Sequence, residues 1–196
     1  MVANRLNLFS QIFALLASLS VCFYSSAAEL EEEFIQQELA RTQLNPDHTV
    51  TFEINAPSEF VFQFLIRRVA DYAKDAVAVE FDHNNSLTLD RLDRGSIRIT
   101  TMENADQLIQ RILLFKRPFS YAYYTDMNAS TIEAPLDYSL SRYNLTELDS
   151  NRTRVQISVV YKSSSRLLSY FVRRSFNSAL EDDFELAVHK IEEEYQ

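Results

Sequence analysis

Thr49-Val50-Thr51-Phe52-Glu53-Ile54-Asn55-Ala56-Pro57-Ser58-Glu59-Phe60-Val61 is the stretch on which the reading of this chain turns. Val50, Phe52 and Ile54 alternate with Thr49, Thr51 and Glu53, the two-residue period of a strand with one buried face. At Pro57 the period changes. Proline suits the first turn of a helix, and Phe60, Val61, Phe64 and Leu65 then recur at helical spacing. The pattern continues through Val69, Tyr72 and Ala73, which predicts two short helices after the strand.

Beyond Ala76 the chain reads as a succession of strands. Val77, Val79 and Phe81 alternate, followed by Leu87 and Leu89 and then by Ile97 and Ile99, with turn residues at Asp82 to Asn85 and Glu103 to Asp106. Gln107 to Phe115 predicts a longer strand, and Pro118 separates it from Tyr121 to Thr125. Leu136 to Leu148 alternates but shifts phase at Arg142 and Tyr143, where a bulge is expected. Arg154 to Tyr161 places Val155, Ile157, Val159 and Tyr161 on one face. A long helix from about Ser164 to Glu193 closes the chain, with Leu168, Phe171, Phe176, Ala179, Leu180, Leu186, Ala187 and Ile191 as its apolar stripe and Ser164 or Ser165 as cap. Six or seven antiparallel strands in one block, bracketed by helices, indicate an α+β fold.

Upstream, Arg5 is followed by an uncharged run from Leu6 to Ala28 that ends in Ser25-Ser26-Ala27-Ala28. This is the pattern of an export signal over 1–28, with cleavage expected after Ala28 and an acidic start at Glu29. An uncleaved anchor and lipidation at Cys22 are the alternatives, although Val21 stands where a lipobox carries a small residue. Residues 29–47 form a leader that is either helical or mobile, ended by Pro46. Cleavage leaves 168 of the 196 residues, enough for one domain spanning 48–194. An exported location, periplasmic or secreted, is expected.

Cys22 is the only cysteine and lies within the signal, so the mature domain has no thiol nucleophile, Cys-ligated metal or redox pair. The net charge of −9 counts against a nucleic-acid partner. The acids cluster at Glu29 to Glu33 and Glu192 to Glu194, which read as solvated helix ends. Gly95 is the sole glycine, which excludes a Gly-x-Ser-x-Gly elbow and a glycine-rich phosphate loop. His48, His83 and His189 fall on three elements without helical pairing, so neither a metal site nor a cofactor is expected.

The order of elements, together with Thr49 to Val61, Arg94-Gly95-Ser96 and Arg152-Thr153-Arg154-Val155, resembles the SRPBCC superfamily of START domains, polyketide cyclases and pollen-type allergens. The resemblance implies a helix-grip fold, a curved sheet wrapped on the C-terminal helix with an apolar tunnel between them. With one glycine, the hairpins must rely on Asn and Asp.

Ten tyrosines and fourteen phenylalanines, without tryptophan, furnish an aromatic interior. Tyr121, Tyr123, Tyr138, Arg142, Ile157 and Phe171 are the candidate ligand-binding residues. The rings would hold an apolar molecule and the hydroxyls would orient its polar end. Of the strand arginines Arg98, Arg111, Arg142 and Arg154, Arg142 is preferred because it sits at the phase shift. The bland alternative is core tyrosines and solvent-facing arginines. The expected function is an exported carrier of a lipid or other hydrophobic small molecule, without a catalytic constellation. The alternatives are an aromatase/cyclase-like enzyme using groups such as Tyr138 and Arg142, and an envelope interaction module that uses the fold as a scaffold. Membrane contact is open through an uncleaved signal or lipid delivery.

Overall fold

A computed structural model describes residues 31–165 and 169–196. The expected signal over 1–28, the leader residues Glu29 and Leu30, and Leu168 lie outside the described residues, as do the side chains of Phe171 and Phe176. The chain divides into two compact units, 1–38 and 39–196. Residues 31–44 form helix α1 and end before Pro46, as a proline two residues downstream dictates. In the first unit, residues 31–38 carry Gln36 and Gln37 amides that donate to Glu32 and Glu33 one turn back.

The second unit continues with β1 (His48–Ile54), α2 (Ser58–Arg67), a 3-10 turn (Val69–Asp71), β2 (Ala76–Asp82), β3 (Ile97–Met102), β4 (Gln107–Lys116), β5 (Ser120–Asp126), β6 (Leu136–Asp149), β7 (Arg152–Ser163) and α3 (Ser169–Tyr195). The seven strands form one curved antiparallel sheet in the order β1-β7-β6-β5-β4-β3-β2. Register shifts at Ala76/Ala78, Ile112/Leu114, Leu136/Tyr138 and Glu147/Asp149 supply bends in it.

The joint at Ala56-Pro57 is where β1 hands over to α2. Ala56 is fully buried and its carbonyl accepts from Thr153 Oγ1 at 2.8 Å, which fixes the joint to the start of β7. Val61, Phe62, Phe64, Leu65 and Ile66 bury one side of α2. The far end of α3 is fastened to the same region. Glu192 accepts from the backbone N–H and side-chain amide of Asn55 at 2.9 and 2.8 Å, and Glu194 pairs with Arg68. Nearer its middle, Asp183 accepts the Lys74 N–H at 3.1 Å.

Two strand expectations change. Leu87 and Leu89 are 67% and 80% exposed in the loop between β2 and β3, which closes on itself through Leu87 N–H to the Arg94 carbonyl and Ser86 Oγ to the Arg91 carbonyl. Two alternating leucines do not outweigh the turn residues on either side of them. The bulge expected at Arg142 and Tyr143 is absent, and β6 pairs without a shift from Tyr138 to Glu147. The phase change arises because both faces of β6 are covered, with Leu140 and Tyr143 buried on opposite sides. Ser164 and Ser165, where the terminal helix was expected to start, are not helical, and its described residues run from Ser169 to Tyr195.

Asp75, Asp90 and Ala105 take positive φ at turns, in keeping with the shortage of glycine. Gly95 has φ +93°, and a Cβ there would lie 2.0 Å from the Asn85 carbonyl oxygen. Its N–H donates to Ile112 at 2.8 Å, tying the loop to β4. Gly95→Ala is therefore expected to lower stability by about 1–3 kcal/mol, read from urea denaturation midpoints at unchanged m. A neutral effect would mean that the loop adopts another path.

Candidate functional site

Strand alternation sorts the sheet into two faces. Val50 and Ile54 of β1, Arg98 and Thr100 of β3, Gln110 and Ile112 of β4, Tyr121, Tyr123 and Thr125 of β5, Ser139, Ser141 and Tyr143 of β6, and Ile157 and Val159 of β7 share the face that meets α2 and α3. This face has two kinds of lining. Toward α2 it is aromatic. Tyr121 and Tyr143 stack at 4.2 Å between ring centroids, Phe62 meets Tyr121 edge-on at 5.3 Å, and Phe184 of α3 lies 5.7 Å from Tyr143 and 5.9 Å from both Tyr72 and Phe52. These separations are those of packed rings.

Toward the other end of the strands the lining turns polar. Arg98, Gln110, Thr125 and Ser139 stand directly opposite one another across β3, β4, β5 and β6, and all four are buried. Gln110 Nε2 donates to Thr125 Oγ1 at 3.2 Å. The Thr100 hydroxyl, next along β3 on this face, is buried without a hydrogen-bond partner.

Arg98 is 2% exposed and is the largest side chain of the buried set. Its Nε donates to Gln110 Oε1 at 2.8 Å and its Nη1 to the Ile66 carbonyl at 3.3 Å. Its guanidinium carbon lies 4.4 Å from the centroid of the Tyr123 ring, so the side chain reaches from β3 across β4 to β5. Among the described residues no carboxylate pairs with it. Asp183, a half-buried acid on α3 whose pKa burial pushes up, accepts the Lys74 N–H and does not pair with Arg98. A buried charge ordinarily keeps a counter-ion, because desolvation costs several kcal/mol.

The tyrosines around Arg98 are hydroxyl donors at neutral pH. Burial raises the pKa of Tyr72, Tyr121 and Tyr143 well above the phenol value. Tyr72 donates to the Leu65 carbonyl at 2.7 Å, and the Tyr123 and Tyr143 hydroxyls lie 3.2 Å apart. The Tyr121 hydroxyl is sealed off without a partner in hydrogen-bond geometry. The neighbouring Tyr143 hydroxyl lowers its pKa, against the larger upward effect of burial.

Of the residues singled out from sequence, Tyr121, Tyr123 and Ile157 come together on the inner face, while Tyr138 and Arg142 lie on the opposite face of β6. Tyr138 stacks there on Tyr124, with ring centroids 5.9 Å apart. Arg142 is 7% exposed, its Nε and Nη1 lack partners, and burial lowers its pKa. Tyr138 and Arg142 are therefore not joined with Tyr121 and Tyr123 in one site. Arg98, Gln110, Thr125, Ser139 and Ser141 were missed as a set. The signal was a polar residue at the inner position of four successive strands, masked on β3 by Ile97 and Ile99, which take the other face. Arg154 is solvent-facing and pairs with Glu53.

Outside this interior, a cleft of about 580 Å³ at the β3–β4 turn is lined in part by Asp75, Glu103, Asp106 and Glu133. No group of metal-ligating side chains occurs among the described residues.

No protein-family model matches the chain, and no curated protein matches its sequence. Solved structures do match. The START superfamily protein from Mycobacterium smegmatis aligns with TM-score 0.57 at 11% identity, over 74% of this chain and 97% of that one. The fold is the helix-grip fold seen in these solved structures. XoxI from Bacillus cereus aligns with TM-score 0.56 at 20% identity, over 74% of this chain and 94% of that one. The ZhuI aromatase/cyclase from Streptomyces sp. R1128 gives 0.52 at 15%, over 76% and 92%. In this helix-grip arrangement Phe184 of α3 packs on Phe52 of β1 and Tyr143 of β6, and Ala187 and Ile191 of the same helix are buried with it in the core.

Phe184→Ala is expected to cost about 3–5 kcal/mol in chemical denaturation, because the ring joins Phe52, Tyr72 and Tyr143. Leu186→Ala, on the exposed side of α3, should stay within about 0.5 kcal/mol. Equal costs would mean that α3 is not docked through Phe184.

Proposed function

We propose that the protein is a carrier that encloses a hydrophobic small molecule between the inner face of its sheet and α3. The observation that carries this reading is the polar row Arg98, Gln110, Thr125 and Ser139, buried beside an aromatic face. A core built for stability alone gains little from burying a guanidinium without an acid and a hydroxyl without a partner, as at Thr100. A site that orients one polar end of an otherwise apolar guest needs such groups. The helix-grip fold, shared with a START superfamily protein, supports the same reading.

Export through the 1–28 signal belongs to this proposal, and a periplasmic or secreted carrier of a lipid or similar molecule is its full form. An aromatase/cyclase-like activity is the second reading. It is favoured by Arg98 lying over the Tyr123 ring among buried tyrosines, since a guanidinium polarises a carbonyl and a phenol donates a proton, and by the fold shared with ZhuI. No acid or histidine joins that group among the described residues, so the carrier reading comes first.

The neutral dye N-phenyl-1-naphthylamine tests enclosure without reference to any head group. Titration into the purified, delipidated protein should give saturable fluorescence enhancement at about one site per chain. Absence of saturable uptake, with nothing bound in native mass spectrometry of protein purified without delipidation, contradicts the proposal.

A further inference from the structure

Arg98 narrows what the enclosed molecule is. We infer that its polar end is a carboxylate, docked against the Arg98 guanidinium and the hydroxyls of the inner row. This inference rests on the enclosure of an apolar molecule proposed above and adds the chemical class: a monoanionic amphiphile with a carboxylate head and an apolar body.

Three features of the geometry point to it. The first is charge. Among the described residues, Arg98 has only neutral groups around its charge: the Gln110 side-chain carbonyl, the Ile66 backbone carbonyl, the Tyr123 ring and the neighbouring phenols of Tyr72, Tyr121 and Tyr143. Neutral dipoles solvate a guanidinium but do not balance it, and a carboxylate brought into low dielectric gains most where an uncompensated cation already waits.

The second is donor count. A guanidinium has five N–H groups in one plane. The hydrogen bonds to Gln110 and Ile66 use two of them, leaving donors on the same fork that suits the two oxygens of a carboxylate. Thr125 Oγ1 accepts from Gln110, so its own proton is directed elsewhere, and the Thr100 hydroxyl has no partner. Both are able to donate to an anion, and both share the inner face with Arg98.

The third is valence. Among the described residues, Arg98 is the only cation buried on the inner face, since the other buried arginine, Arg142, belongs to the opposite face. One positive charge matches one carboxylate. A phosphate dianion would leave surplus negative charge buried in a protein whose net charge is already −9.

The neighbouring aromatic half fits the rest of such a molecule. Tyr123 is both the ring beneath the guanidinium and the partner of Tyr143, so the polar row and the aromatic cluster meet at one residue. A head held at Arg98 places the apolar body against these rings.

The test uses a matched pair, dodecanoate and 1-dodecanol, each displacing N-phenyl-1-naphthylamine from the full chain at pH 8 and at concentrations below micelle formation. The acid should displace the dye with an affinity roughly ten- to hundredfold tighter than the alcohol, the size of one charge-assisted hydrogen-bonded contact. Arg98→Met, checked for folding by circular dichroism, should bring the acid down to the level of the alcohol. Acid and alcohol binding equally to the wild-type protein overturns the carboxylate inference and leaves the carrier reading standing. Failure of the dye itself to bind removes the carrier reading first. Should Arg98→Met fail to fold, the wild-type comparison alone decides. An acid preference that survives intact in a folded Arg98→Met also overturns the inference, because the anion would then be held elsewhere.

Discussion

A helix that ends in the interior of a protein must find donors for its last carbonyls there, because no water can supply them. The buried side of α2 meets this condition, while Arg67 and Arg68 at its end are exposed. The Phe64 carbonyl accepts the Arg68 N–H, the Leu65 carbonyl accepts the Tyr72 hydroxyl, and the Ile66 carbonyl accepts Arg98. The guanidinium is thus a capping group for α2 as well as a member of the inner polar row. A cation suits the place, since the C-terminal end of a helix carries partial negative charge. Through Gln110 and Tyr123 the same side chain joins β3, β4 and β5 to that helix end.

Around this anchor the interior has a gradient. At the α2 end, rings from α2, the sheet and α3 close on one another and leave the space filled. The stack of Tyr121 on Tyr143, held between Phe62 and Phe184, is the centre of that packing. At the other end the strands present Thr, Ser and Gln on the inner face. A curved sheet closing on a single helix cannot be equally tight along its whole length. Here the tight end is aromatic, and the polar end holds the buried Thr100 hydroxyl without a partner.

Much of the fold was legible in the sequence because two-residue alternation is a strong signal when one face is apolar. β1 and β7 follow it closely, and the change of period at Pro57 marks α2 correctly. The signal weakens when both faces are covered. On β6, Leu140 and Tyr143 are buried on opposite sides, so the pattern imitates a bulge and lent Arg142 an importance drawn from the phase shift alone. On β3 the signal inverts. Ile97 and Ile99 take the outer face while Arg98 and Thr100 point inward, which hydropathy alone reads the wrong way round. A polar inner row is specified by contacts between distant strands and by the helix carbonyl it caps, and neither is a property of any local segment.

The central claim is that one arginine, Arg98, is sealed in the interior with its Nε–H committed to Gln110. The arginine side-chain region of a ¹H–¹⁵N correlation spectrum, followed during solvent exchange into D₂O, tests this most directly. The account predicts a strongly protected Nε–Hε resonance that disappears in Arg98→Lys. If the Arg98 resonance exchanges as fast as those of solvent-facing arginines such as Arg154, the guanidinium is not buried and the account of the site is contradicted.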